Sequence, residues 1–99
     1  MNTESADAID FSVPQAWAPL IYKRLEKRFQ TSTLEVLDES AQHAGHSGAN
    51  AIGMNSHLRI RIASDQFSAL SRVQRHRLVY DALQDFLDQG LHALAIEFL

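Results

Sequence analysis

The chain has no cysteine, which excludes a disulfide framework and any metal or cluster held by its own thiolates. It also lacks an apolar run approaching the ~20 residues of a membrane span. Its first ten residues, MNTESADAID, are acidic where a secretory signal would be basic and then apolar. A soluble, cytoplasmic protein without membrane association is the expectation. Cations are missing from both ends: all nine Lys and Arg lie between Lys23 and Arg77, and with twelve acids the formal net charge is −3. That balance argues against a general nucleic-acid binder, although the clustering of the cations leaves room for a local basic surface. Glycine is sparse, and Gly45, Gly48 and Gly53 match neither dinucleotide-binding nor P-loop spacing, so no phosphate cradle is indicated.

What is present fits one α+β domain, and 99 residues bury enough surface for a core without covalent staples. Residues 1–17 show no periodicity and read as a flexible N-terminal arm, leaving 18–99 as the folded domain. Pro19 suits the first turn of a helix over about 18–29, with Leu20, Ile21, Leu25 and Phe29 on one face and Lys23, Arg24, Lys27 and Arg28 on the outer one. TLEVLDES and SHLRIRIAS alternate as half-buried strands do. Ser71 then caps a long helix running through Leu87, Gly90 stops it, and LHALAIEF forms a last strand. The order is helix, strand, strand, helix, strand, with a three-stranded mixed sheet.

Three of five histidines, His43, His46 and His57, fall in or at the end of the long connection between the first two strands. A strand–helix–strand crossover is almost always right-handed and joins parallel strands. It therefore brings His92, near the start of the last strand, to the sheet edge where that connection returns. Neutral imidazole is a common transition-metal ligand, and convergence of this kind is what a metal site requires. The competing reading is solvated loop histidines, an outward strand residue and a strand cap. With no thiolate and no well-placed carboxylates the set is incomplete, and a partner would have to supply the remaining ligands. A [2Fe–2S] cluster can carry two histidines on one iron and two thiolates on the other. Hydrolysis is disfavoured, since Ser40 and Ser47 lie on no nucleophile elbow.

The segment SRVQRHRLVYDAL crowds Arg72, Arg75, His76 and Arg77 into the first turns of the second helix, where cations oppose the macrodipole. Contact with phosphate or with an acidic partner would explain that placement. So would pairing of Arg72 or Arg75 with Asp65 or Asp81. With Arg59 and Arg61 these residues suggest a basic strip facing DNA or a partner.

LEVLDESAQHAGH, SHLRIRIASDQF, RVQRHRLVYDAL and LHALAIEF, in this order over about 70 residues from Leu25, resemble the BolA family. The resemblance implies an α-β-β-α-β fold similar to class II KH domains, without the G-x-x-G loop of true KH domains. It also implies a non-enzymatic partner of monothiol, CGFS-type glutaredoxins that shares a glutathione-ligated [2Fe–2S] cluster and acts in iron–sulfur trafficking or iron sensing. Alone, the protein is expected to be a cofactor-free monomer or weak homodimer. His92 matches the family's ligand at the start of the last strand. His43, following D-E-S-x-x, matches the loop ligand, with His46 as an additional candidate, and His57 matches a structural histidine. Bacterial members are also described as regulators that bind promoter DNA through the region corresponding to Ser71–Tyr80.

Overall fold

The computed structural model describes residues 8–43 and 54–99, apart from the side chains of Gln42 and His43. Helix α1 spans Ala18–Phe29 and is followed by strand β1 (Thr33–Asp38), a 3-10 turn (Ser40–His43) and strand β2 (His57–Ala63). A second 3-10 turn (Asp65–Phe67), helices α2 (Arg72–Ala82) and α3 (Gln84–Asp88) and strand β3 (Ala93–Phe98) complete the chain. α1 starts as the sequence predicts, with proline in its first turn, and buries Ile21, Leu25 and Phe29. It ends at Gln30, whose left-handed backbone (φ 49°) returns its N–H to the Glu26 carbonyl.

The three strands form one sheet in the order β1-β2-β3, with β1 antiparallel and β3 parallel to β2. The expected mixed α+β topology is therefore present. Val36, Ile60 and Ile96 share one cross-strand row, and Leu34, Ile62 and Phe98 the next. These rows face the helices, where Leu58, Ile60 and Ile62 join Ile21, Leu25, Val79, Leu83 and Phe86 in one buried cluster. Alternation then puts Arg59 and Arg61 on the opposite, open face, in rows with Leu37 and Ala95 and with Glu35 and Glu97.

Three features depart from the sequence reading. Within the segment assigned to an arm, Ile9, Phe11 and Trp17 pack against the core. The Phe11 and Trp17 rings each lie 5.3 Å from that of Phe86, a contact between aromatics with no helical or strand period to announce it. Arg24 is only 5 % exposed and so is not part of an outer basic face. The long helix to Leu87 is two helices joined at fully buried Leu83, whose φ and ψ of −116° and 16° leave the helical range.

The second and third departures share a cause. In an unbroken helix the Ala82 carbonyl would accept from the Phe86 N–H. Here the Phe86 N–H donates to the Asp85 carboxylate at 3.0 Å, and the Ala82 carbonyl accepts from Arg24 Nη1 at 2.9 Å. Arg24 also makes a two-pronged pair with Asp85, Nη2 to Oδ2 at 2.8 Å, and its guanidinium carbon lies 4.8 Å from the centre of the Phe86 ring. The break is thus filled by a guanidinium from α1. Apolar spacing continues through Leu83, Phe86 and Leu87, so periodicity alone cannot register it.

Arg24→Ala leaves the Ala82 carbonyl without its donor and Asp85 with backbone N–H groups alone. Hydrogen bonds to charged groups contribute about 1.5–3 kcal/mol each, so a loss of about 2–3 kcal/mol is expected, read as a lower urea midpoint at unchanged slope. Burial alone would push the Asp85 carboxyl up, but the hydrogen bond and charge of Arg24, with the Phe86 N–H, outweigh it and hold the carboxyl below its ordinary value. A depressed folded-state pKa stabilises the fold above the unfolded value of about 3.9, and that contribution is lost as pH falls through the folded value. Urea midpoints of the wild type should therefore fall on acidification below about pH 4, and those of Arg24→Ala should fall less steeply over the same range.

Candidate functional site

The site is assembled where β2 begins, and it starts from the carboxylate of Asp38 at the end of β1. Its Oδ1 accepts the Ser40 N–H at 2.8 Å, an Asx turn that swings the chain into the 3-10 turn. Its Oδ2 accepts the Asn55 N–H at 2.9 Å, so one side chain ties both ends of the long connection. Burial would raise this carboxyl, but hydrogen bonds from the Ser40 hydroxyl and from the Asn55 and Ser40 amides, with neighbouring His57, hold it low. Asn55 adopts φ 64°, a left-handed conformation that asparagine tolerates better than most residues. Its side chain accepts from the Trp17 N–H at 2.9 Å and donates to the Gln15 carbonyl at 2.8 Å. The approach to α1 is thereby fastened to the same point.

Two buried serines complete the base. Ser40 Oγ accepts the N–H groups of Ser56 at 3.0 Å and His57 at 3.1 Å. The Ser56 carbonyl accepts those of His92 at 2.9 Å and Ala93 at 3.0 Å, joining the start of β3 to the residue before β2. Both hydroxyl-bearing residues are 1 % exposed. The outcome is a pair of imidazoles: the ring centroids of His57 and His92 are 5.4 Å apart, with planes at 51°. His57 is half-buried with Nδ1 3.0 Å from Ser56 Oγ, and His92 is exposed.

Of the ligand residues expected from the sequence, His92 stands at this edge. The backbone of His43 lies in the 3-10 turn directly after Asp38–Glu39, while its imidazole and the whole of His46 lie outside the described residues. His57, assigned a structural role, is the histidine found beside His92. The carboxylates are committed elsewhere, Asp38 to the two ends of the connection and Glu39 to Arg59 at 3.0 Å. Among the described residues no group of three His, Asp or Glu is arranged to hold a metal ion. Sequence reasoning missed Ser40, Asn55 and Ser56. Their signal was an Asx-turn motif, D-x-S, and a polar N-S just before a strand.

The basic residues divide between two surfaces and do not form one strip. Arg59 and Arg61 lie on the open sheet face among acids: Arg59 contacts Glu39 and, at 2.9 Å, Glu97, while Arg61 contacts Glu97 at 3.3 Å and Glu35 at 3.4 Å. Arg72, Arg75, His76 and Arg77 belong to α2, which packs on the other face. Arg75 Nε donates to the Leu70 carbonyl at 3.1 Å, and Arg75 is not among the described ion pairs, so the alternative pairing with Asp65 or Asp81 does not account for it. His76 stacks on Tyr80, centroids 4.6 Å apart. Ser71 caps α2 as expected, within a reciprocal capping box completed by Gln74.

A family model described as BolA-like protein matches residues 25–99. SufE-like protein 1, chloroplastic/mitochondrial, of Arabidopsis thaliana is 49% identical over 79 residues, which is 77% of this chain and only 21% of that protein. The DNA-binding transcriptional regulator BolA of Vibrio cholerae is 39% identical over 77 residues, 78% of this chain and 68% of the other. The solved BolA domain of SufE1 from Arabidopsis thaliana superposes with a TM-score of 0.75 at 44% identity, covering 87% of this chain and 93% of that one. Fold and sequence coincide over most of the chain, and the protein belongs to the BolA-like family.

Proposed function

We propose that the protein is a non-enzymatic adaptor that docks a monothiol glutaredoxin through the edge carrying His57 and His92, and there co-ligates a glutathione-containing [2Fe–2S] cluster. The observation that carries this reading is the placement of two imidazoles, from residues 35 positions apart, at one end of the sheet. Two imidazoles on one metal ion, each bound at about 2.0–2.1 Å, have ring centres roughly 5 Å apart, so the 5.4 Å spacing suits a shared ion. The donor set suits it too, being two neutral nitrogens with no thiolate of its own. The partner and glutathione would provide the thiolates.

His92 would supply one ligand, and the second would come from the β1–β2 side. His57 is in place there, and His43 and His46 are the candidates the loop adds. Replacing two thiolates by neutral imidazoles reduces the negative charge at the iron and raises its potential, which suits cargo that is sensed or passed on. The chain's own part is to hold the imidazoles together and leave them accessible. Its place is in iron–sulfur trafficking or iron sensing, in the cytoplasm.

A second reading draws on the exposed Arg72 and Arg77 of α2 and on the name of the Vibrio cholerae relative: DNA binding through α2. It uses a different surface, so the two are separable.

Mixing with a cluster-loaded CGFS glutaredoxin should yield a complex with an altered visible spectrum. His92→Ala should abolish the altered bands, as should alanine at whichever of His57, His43 and His46 is the second ligand. Spectra unchanged by all four substitutions would refute the ligand assignment. For DNA, Arg72→Ala with Arg77→Ala should lower affinity and flatten the dependence of log K on log salt by about 0.9 for each phosphate no longer neutralised. Binding that survives both substitutions at unchanged slope would exclude α2 as the DNA-facing element.

A further inference from the structure

We infer that the outer edge of β3, with the cationic flank of α2 beside it, is a docking site for an extended acidic segment of a partner protein, which joins the sheet as an added strand. The strand order β1-β2-β3 leaves β3 at an edge. Ala93 donates its N–H to the Ser56 carbonyl at 3.0 Å, and Leu99 donates to the Ile62 carbonyl at 2.9 Å. Backbone groups alternate in direction along a strand, so those of Leu94, Ile96 and Phe98 point away from β2. The Leu94 carbonyl agrees, since it accepts the Tyr80 hydroxyl at 3.3 Å. Ile96 and Phe98 meet no further strand among the described residues. Their side chains face the helices yet are only half-buried, whereas Ile60 and Ile62 in the same rows of β2 are fully buried. Sheet edges are ordinarily blunted by lysine, proline or a bulge. β3 carries none of these, and its one charge, Glu97, is held by Arg59 at 2.9 Å and Arg61 at 3.3 Å.

The flank decides the occupant. His76 stacks on Tyr80, whose hydroxyl reaches the Leu94 carbonyl, so α2 borders this edge. Leu70, Arg72, Arg75 and Phe98 line one hollow, and Arg72, Val73, His76 and Arg77 line a second that shares Arg72 with it. None of the described ion pairs involves α2, whose only acid is Asp81 near its end. Every second side chain of an added strand points toward the helices, where a carboxylate meets these cations. Main-chain hydrogen bonds to Ile96 and Phe98 supply affinity, and the cations select acidic sequence. A second copy suits the edge poorly, because β3 paired with β3 would set two α2 helices of like charge side by side. The free groups lie in the half of β3 remote from His92, so the inference does not rest on the adaptor reading.

The test uses amide hydrogen exchange, followed by NMR, with a capped synthetic peptide of alternating valine and glutamate as probe. In the free protein the Ile96 and Phe98 amides should exchange faster than those of Ala95 and Glu97, and saturating peptide should slow them at least about tenfold. Arg72→Glu, which reverses a charge common to both hollows, should weaken binding at least about tenfold. The same peptide with lysine in place of glutamate should not bind. Ile96→Pro removes an outward N–H without touching the bonds to β2, and should abolish binding while Ala95 and Glu97 stay protected. Should that variant fail to fold, exchange at Ile96 and Phe98 in the wild type decides alone. Peptide that shifts α2 signals but leaves Ile96 and Phe98 unprotected overturns the inference, as does equal binding of the lysine peptide or unchanged affinity in Arg72→Glu. Protection of Ile96 and Phe98 that grows with protein concentration alone gives the edge to a second copy and also overturns it. Duplex DNA bound through α2, with no binding of the acidic peptide, assigns the flank to nucleic acid instead.

Discussion

One carbonyl group, that of Ser56, receives two amides from the start of β3, and the functional end of the molecule depends on that junction. It closes the crossover from β2 through α2 and α3, sets the parallel register that pairs His57 with Ala93, and fixes where His92 leaves the backbone. The junction is itself held from behind. Ser40 supports Ser56 and His57, Asp38 supports Ser40, and Asn55 binds the segment leading into α1 to the same place. A chain of short polar side chains thus does at this edge what the apolar cluster does beneath the sheet.

The opposite end of the connection between β2 and β3 shows a similar use of a polar group. The break at Leu83 lets α3 fold down so that Phe86 enters the core beside Phe11 and Trp17. The carbonyl exposed by the break is taken by Arg24. Buried charge is expensive unless it is paired and its hydrogen bonds are made, and Asp85 with the Ala82 carbonyl meets much of that requirement. Arg24 acts as a fastener between α1 and the α2–α3 corner, a role distinct from that of the exposed cations on α1.

Strand alternation in TLEVLDES and SHLRIRIAS was legible in the sequence because each strand buries one face and exposes the other. The approach of His92 to the return of the connection was legible because crossover handedness leaves one arrangement. Features made by contacts distant in sequence were not legible. Arg24 meets Asp85 across 61 positions, and Ser40 meets Ser56 across 16. Neither residue type declares a partner at that range. The basic residues misled for a related reason: Arg59 and Arg61 share a sign with the cations of α2, yet sheet alternation puts them among Glu35, Glu39 and Glu97 on the other face. Charge read along a chain says nothing of which face will carry it.

Central to the proposed function is the edge bearing His57 and His92 as the docking surface, with α2 apart from it. Residue-by-residue NMR shift mapping of the labelled protein titrated with cluster-loaded glutaredoxin tests this most directly. Perturbations centred on the β1–β2 connection and the start of β3, including Asp38 to Ser40, Asn55 to His57 and Leu91 to Ala93, are predicted. Perturbations centred on Arg72–Arg77 of α2, or none at saturating partner, would contradict it.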